Sequence, residues 1–259
     1  MTVKFYKYQG TGNDFVLIDN RGYGLKQERA LIEKLCNRHF GIGADGLMYL
    51  QERKGFDFEM VYFNSDGNES TMCGNGGRCL IRLAHDLGLI KNTCTFLAID
   101  GEHEGEVLPD GRVVLKMKDV ESPERTATAY VLNTGSPHYV QPTEMVANLP
   151  LVEEAKKIRY NERFAAEGIN VNFMEPIGPD EIFVRTYERG VEDETLSCGT
   201  GVVASALVYA GTTPNAGTRI KVKAIGGDLE VKFEKTPSGF ANVYLIGAAE
   251  KVFEGTIIL

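Results

Sequence analysis

Met72-Cys73-Gly74-Asn75-Gly76-Gly77-Arg78 decides how this chain reads, because it has an echo in Ser197-Cys198-Gly199-Thr200-Gly201. Each stretch sets a cysteine before Gly-x-Gly and runs into an apolar segment of helical spacing. That segment is Cys79, Leu80, Leu83, Ala84 and Leu87 after the first, and Val202, Val203, Ala206 and Leu207 after the second. A cysteine at the opening of a helix sits among unpaired backbone N–H groups at the positive end of the dipole. Such a thiol ionises more readily than a free one. The glycines let a ligand approach the backbone. The pattern offers two activated thiols, each beside a small anion-binding nest.

The echo extends far beyond the cysteines. At the same spacing of 125 residues, Tyr62 falls on Tyr187, Asn64 on Arg189, Glu69 on Glu194 and Ser70 on Thr195. Upstream, Gly43 falls on Gly168, Asp45 on Asn170, Gly10-Thr11 on Gly135-Ser136, and Asn13 on His138. Downstream, Gly101 falls on Gly226. A gapless series of this length reads as a duplication. The expected fold is α/β (α+β): two pseudo-symmetric units, each a curled, mostly antiparallel sheet around a central helix, with a cleft between them. The expected boundaries are 1–117, 118–250, and a strand at 251–259 that returns to the first unit; polar Lys118 to Thr128 is the candidate hinge.

In each half, alternating stretches read as strands and one amphipathic run as a helix. In the first half the helix spans 27–40 with Leu31, Ile32, Leu35 and Cys36 on one face, ending at Gly41. In the second it lies near 151–158, after Pro150. Gly41-Ile42-Gly43-Ala44-Asp45-Gly46 matches the dinucleotide glycine pattern, but it leaves a helix and opens a strand, the reverse of what that site needs. Val202 to Ala210 is apolar nearly all round; Arg78, Arg82 and His85 make the first cysteine helix only partly so.

The formal net charge of −8 argues against a nucleic-acid partner. No apolar run has membrane length, and no secretory leader is expected. The five cysteines are an odd number for a disulfide framework, so the expected setting is reduced and cytoplasmic. Cys36, Cys79 and Cys94 read as buried core residues. No metal site is expected, since Cys73 and Cys79 lack a second pair or a nearby histidine. His39, His85 and His103 read as structural or surface groups.

Two opposed thiols permit proton transfer at both faces of one carbon. A thiolate removes a proton from one side, a thiol returns one to the other, and the stereocentre inverts without a cofactor. A free thiol pKa of about 8.5 lets both forms coexist near neutrality after modest tuning. Backbone N–H groups at Gly74-Asn75 and Gly199-Thr200 can hold a carboxylate as charge builds beside it.

At these residues the chain resembles the diaminopimelate epimerase family. The likeness covers nearly the whole length. It includes Gly10-Thr11-Gly12-Asn13-Asp14-Phe15, Gly41 to Gly46, Phe63 to Gly67, Met72 to Gly76, Gly168 to Phe173, and Tyr187-Glu188-Arg189-Gly190 through Cys198-Gly199-Thr200-Gly201. The resemblance implies a cofactor-independent epimerase that interconverts LL- and meso-diaminopimelate for lysine and peptidoglycan precursors, usually as a homodimer. Cys73 and Cys198 would be acid and base, tuned or oriented by His138 and Glu188. Gly74-Asn75 and Gly199-Thr200 would hold the reacting carboxylate. Asn13, Asn64, Asn170, Glu188 and Arg189 would bind the rest, with Arg189 on the far carboxylate. Two positions depart from the family pattern: many members carry glutamine in place of Gly46 and asparagine in place of Ser136. The alternatives are a proline-racemase-like enzyme, whose first motif usually has histidine where this chain has Asn75, and a dithiol redox switch.

Overall fold

The computed structural model describes Met1–Leu259, which divide into two compact units: Met1–Leu115 with Gly247–Leu259, and Lys116–Ile246.

In the first unit β1 (Thr2–Gly10) and β2 (Asn13–Asp19) form a hairpin. Its two-residue turn holds Thr11 at φ 51° and Gly12 at φ 84°, the left-handed pair that tight hairpins require. Helix α1 (Arg29–Cys36) then carries the chain to β3 (Gly46–Gln51), parallel to β2. β4 (Phe58–Asn64) returns antiparallel to β3. Helix α2 (Gly74–Asp86) crosses to β5 (Thr93–Ala98), parallel to β4, and β6 (Gly101–Val107) and β7 (Val113–Lys116) follow antiparallel. The final strand of the chain, β18 (Glu250–Ile258), pairs antiparallel with β1.

The second unit repeats this plan. After the short β8 (Val120–Glu121) and β9 (Glu124–Arg125), β10 (Tyr130–Asn133) and β11 (Pro137–Pro142) form an antiparallel pair. Helix α3 (Leu151–Arg159) leads to β12 (Asn170–Gly178), parallel to β11, and β13 (Glu181–Glu188) returns antiparallel. β14 (Asp193–Thr195) and helix α4 (Gly199–Thr212) precede β15 (Arg219–Ala224), parallel to β13. β16 (Gly227–Thr236) and β17 (Gly239–Gly247) complete the order. The succession of antiparallel and parallel pairings from β10 to β16 is that of β1 to β6, so the duplication is topological as well as sequential.

Strand alternation sorts the residues of each sheet between two helices. In the first unit Leu47, Tyr49, Val61 and Phe63 pack with Ile32, Leu35 and Cys36 of α1. The opposite face turns Phe15 and Met48 toward Gly76 of α2. In the second unit Val171, Phe173 and Tyr187 pack with Leu151 and Ala155 of α3. Their neighbours His138, Asn172 and Thr186 face Gly201 of α4.

Three features differ from the sequence expectation. Helix α1 ends at Cys36, not at Gly41, because the Asn37 side chain accepts the His39 and Phe40 N–H groups and closes a turn. Arg78 does not break the buried face of α2: it has no exposed surface, while Arg82 and His85 stay half-exposed. Segment Lys118–Thr128, expected as a polar hinge, contains β8 and β9, paired with β17 and β10.

Candidate active site

Both cysteine motifs cap helices. Cys73 precedes Gly74 of α2 with extended backbone (φ −100°, ψ 125°), and Cys198 precedes Gly199 of α4 likewise (φ −109°, ψ 109°). Neither cysteine makes a side-chain capping hydrogen bond at its helix start, and neither first turn carries an acidic residue. The N–H groups of Gly74-Asn75 and Gly199-Thr200 therefore lie in first turns that no carboxylate of the helix neutralises. Cys73 is half-buried and Cys198 is buried.

In the first unit a chain of fixed amides leads to Cys73. Lys7 and Arg38 both bind Asp14, at 2.7 Å each, and Lys7 also donates to the Gly43 carbonyl. Burial alone would raise the Asp14 pKa, but the hydrogen bonds from these two cations hold it well below the usual carboxylate range. Arg38 reaches Asp45 at 2.7 Å, and Asp45 accepts Asn13 Nδ2 at 2.6 Å. A carboxylate only accepts, so Asn13 must turn its Oδ1 the other way. There it meets the Cys73 thiol at 3.7 Å and Asn75 Nδ2 at 3.4 Å. Asn75 Oδ1 accepts Arg78 Nη2 at 3.1 Å, which fixes that amide from its other end.

The second unit uses different chemistry at the matching place. Asn172 Nδ2 donates to the Tyr139 carbonyl at 3.1 Å and faces His138 Nδ1 at 3.0 Å. Because that carbonyl only accepts, Asn172 presents its NH2, His138 Nδ1 accepts, and the imidazole proton sits on Nε2. Nε2 lies 2.9 Å from Thr200 Oγ1, which is 3.5 Å from Cys198 Sγ. His138 is fully buried; burial first, and the Arg189 charge second, push its pKa down to about 3. It stays neutral at physiological pH, with its Nε2 on the Thr200 hydroxyl beside the sulfur.

Gly201 is required by this packing. A Cβ there would lie 2.3 Å from Asn172 Oδ1 and 3.3 Å from both His138 Cε1 and Thr186 Oγ1.

Among the remaining expected residues, Asn170 is buried with its amide engaged. It donates to Ser136 Oγ at 2.9 Å and the Pro137 carbonyl at 3.0 Å, and accepts the Arg189 N–H at 2.8 Å. Ser136 thus ties its turn to Asn170. Strand β13 ends at Glu188, and Gly190 follows at φ 93°, so Glu188 and Arg189 are not bound to opposite faces of one strand. Arg189 donates to the Glu167 carbonyl at 3.0 Å and makes no salt bridge. Asn64 is exposed at the end of β4, its N–H on the Asn68 carbonyl. Gly46 has no room for a side chain: a Cβ would lie 2.6 Å from the Phe63 carbonyl oxygen and from the Tyr62 ring, whose hydroxyl is 3.2 Å away.

Sequence reasoning missed Asn172, Arg78 and Thr11. Asn172 was findable, since alternation in Asn170-Val171-Asn172 puts both asparagines on one face.

Cys36, Cys79 and Cys94 are buried, and burial pushes each thiol up to about 12. His103 is buried, bonded to Asp100 and stacked on Phe96, while His39 is exposed. No group of three or more potential metal ligands occurs, and no helix is long and apolar enough to cross a membrane.

The same fold occurs in solved proteins of remote sequence. A Bacillus anthracis phenazine biosynthesis protein of the PhzF family matches with a TM-score of 0.78 at 16% identity, covering 100% of both chains. A hydroxyproline epimerase from Agrobacterium vitis, with bound trans-4-hydroxy-L-proline, matches with a TM-score of 0.68 at 14% identity, covering 100% of this chain and 93% of that one. Sequence similarity is narrower. The diaminopimelate epimerase of Flavobacterium psychrophilum is 51% identical over 256 residues, 98% of this chain and 100% of that protein. That of Aquifex aeolicus is 38% identical over 276 residues, 98% of each. The profile of the diaminopimelate epimerase family matches residues 5–122 and 130–252, which include both cysteine-capped helices and the amides beside them. This chain belongs to the diaminopimelate epimerase family.

Proposed function

We propose that the chain interconverts LL- and meso-diaminopimelate by proton transfer at the α-carbon between two cysteine sulfurs, with no cofactor. The observation that carries this reading is the pair of cysteine-capped, acid-free helix starts. In the LL-to-meso direction Cys198 takes the α-proton as thiolate, and Cys73 as thiol returns one to the opposite face. The hydrogen bonds support this assignment. The Cys73 thiol donates to Asn13, as a protonated sulfur does, whereas Cys198 faces a hydroxyl able to donate to a thiolate. Glu188 and His138 tune or orient the thiols.

The N–H groups of Gly74-Asn75 and Gly199-Thr200 hold the reacting carboxylate as the carbanion forms. Arg189, a cation with no carboxylate partner of its own, binds the far carboxylate in bidentate fashion. Asn13, Asn64 and Asn170 bind or position the remaining polar groups. The enzyme works in the cytoplasm as a homodimer of two-unit chains, divided near residues 117 and 250.

The test is a stereochemical assay of purified protein with LL-diaminopimelate and, separately, L-proline. The reading requires meso product from the first and no D-proline from the second. Turnover of proline alone would replace it with the proline-racemase-like alternative.

A further inference from the structure

Arg78 stands out among the charged side chains of the first unit. It has no exposed surface, and a buried cation is costly unless an anion meets it. No carboxylate does. Its bonds go to the Gly74 carbonyl at 3.2 Å, Asn75 Oδ1 at 3.1 Å, Thr11 Oγ1 at 3.3 Å and the Ala248 carbonyl at 3.5 Å. The groups that sense its charge are the thiols of Cys79 and Cys73, and burial holds Cys79 protonated. The first turn of α2 thus has a permanent cation behind it, added to the helix dipole. At the echo position the chain has Val203, and Thr200 is oriented by neutral His138. The duplicated motif therefore carries this cation on one side only.

We propose that Arg78 is a positioning residue that makes the Gly74-Asn75 nest a charged anion site. Its fork locks the Asn75 amide and the Gly74 peptide, and its buried charge is met by the carboxylate of the bound amino acid. The inference rests on the reading of Cys73 as a thiol that works beside a bound carboxylate. It goes further in assigning the attraction for that carboxylate to a side chain as well as to backbone N–H groups.

The test compares alkylation of Cys73 by iodoacetate and by iodoacetamide, read by peptide mass spectrometry in the intact protein. The two reagents are close in size and differ in charge, so a change of accessibility or folding moves both rates together and leaves their ratio alone. In the wild type the iodoacetate-to-iodoacetamide ratio at Cys73 exceeds that of glutathione. In Arg78→Met it falls on the order of tenfold, the low end of what a focused charge does to local anion concentration. In Arg78→Lys, which keeps the charge and loses the fork, the ratio holds within about twofold while kcat/KM falls about tenfold, the scale of a lost charged hydrogen bond.

A wild-type ratio no higher than that of glutathione, or an unchanged ratio in Arg78→Met, would overturn the proposal. So would a ratio in Arg78→Lys that drops as far as in Arg78→Met, and this arm decides the matter even where Arg78→Met does not fold. The alkylation ratio needs no substrate, so failure of the epimerase assay would remove the proposed reaction and leave the ratio to stand or fall by itself.

Discussion

His138 is a buried imidazole that reaches the Cys198 thiol through Thr200 without titrating near neutrality. Its donor is fixed by Asn172, its charge is suppressed by burial, and its Nε2 faces Thr200. The unfolded chain protonates this histidine near ~6.5, the folded protein only near about 3. Between those values the unfolded state binds the extra proton, so His138 lowers stability progressively as pH falls through that window. Urea unfolding of wild type and His138→Gln from pH 7 to 4 should show a shallower loss in the variant; parallel curves would count against a neutral buried imidazole. Activity should respond in another way. Asn172→Ala is expected to lower kcat on the order of tenfold to a hundredfold, with little change in KM, because it loosens a group that orients the sulfur rather than one that holds substrate. The five thiols should also sort by environment. In the native protein Cys73 and Cys198 alkylate first, while Cys36, Cys79 and Cys94 react only on unfolding, which timed alkylation and peptide mapping would check.

At the scale of elements, glycines mark where a helix meets a sheet. Gly201 of α4 lies against Asn172, so Gly201→Ala is expected to displace that amide at a cost of about 1–3 kcal/mol, an overpacking penalty, with a loss of kcat. Gly46 on β3 is crowded by the Tyr62 ring and the Phe63 carbonyl. Installing the glutamine common in the family is therefore expected to destabilise this chain by a similar amount. Thermal unfolding of both variants measures these costs; unchanged midpoints would show that the sheet yields. These packings also show what the sequence could and could not disclose. The helix starts were legible because cysteine, glycine and an apolar run leave a local pattern. The end of α1 was not, because it depends on one Asn37 side chain closing a turn. The burial of Arg78 was hidden because residue type predicts exposure, and only the partners Thr11 and Ala248, distant in sequence, make room for it. The His138 cluster joins residues 34 and 62 apart, a tertiary fact that no local window carries.

At the scale of the whole molecule, the doubled plan was legible because matched positions persist at one spacing for a hundred residues or so. What the two halves do not share is equally informative: Arg78 against Val203, Asn75 against Thr200, and Asn13 against His138. One half orients its sulfur through a charged chain of amides, the other through a neutral imidazole.

The claim that one sulfur takes the proton while the other returns it is tested most directly by turnover in deuterium oxide, with wild type beside Cys73→Ser and Cys198→Ser. Wild type should place one deuterium at the inverted α-carbon of each product molecule, and each variant should lose epimerisation by on the order of a thousandfold. Near-normal epimerisation by either variant, or label entering the wild-type product with configuration retained, would contradict it.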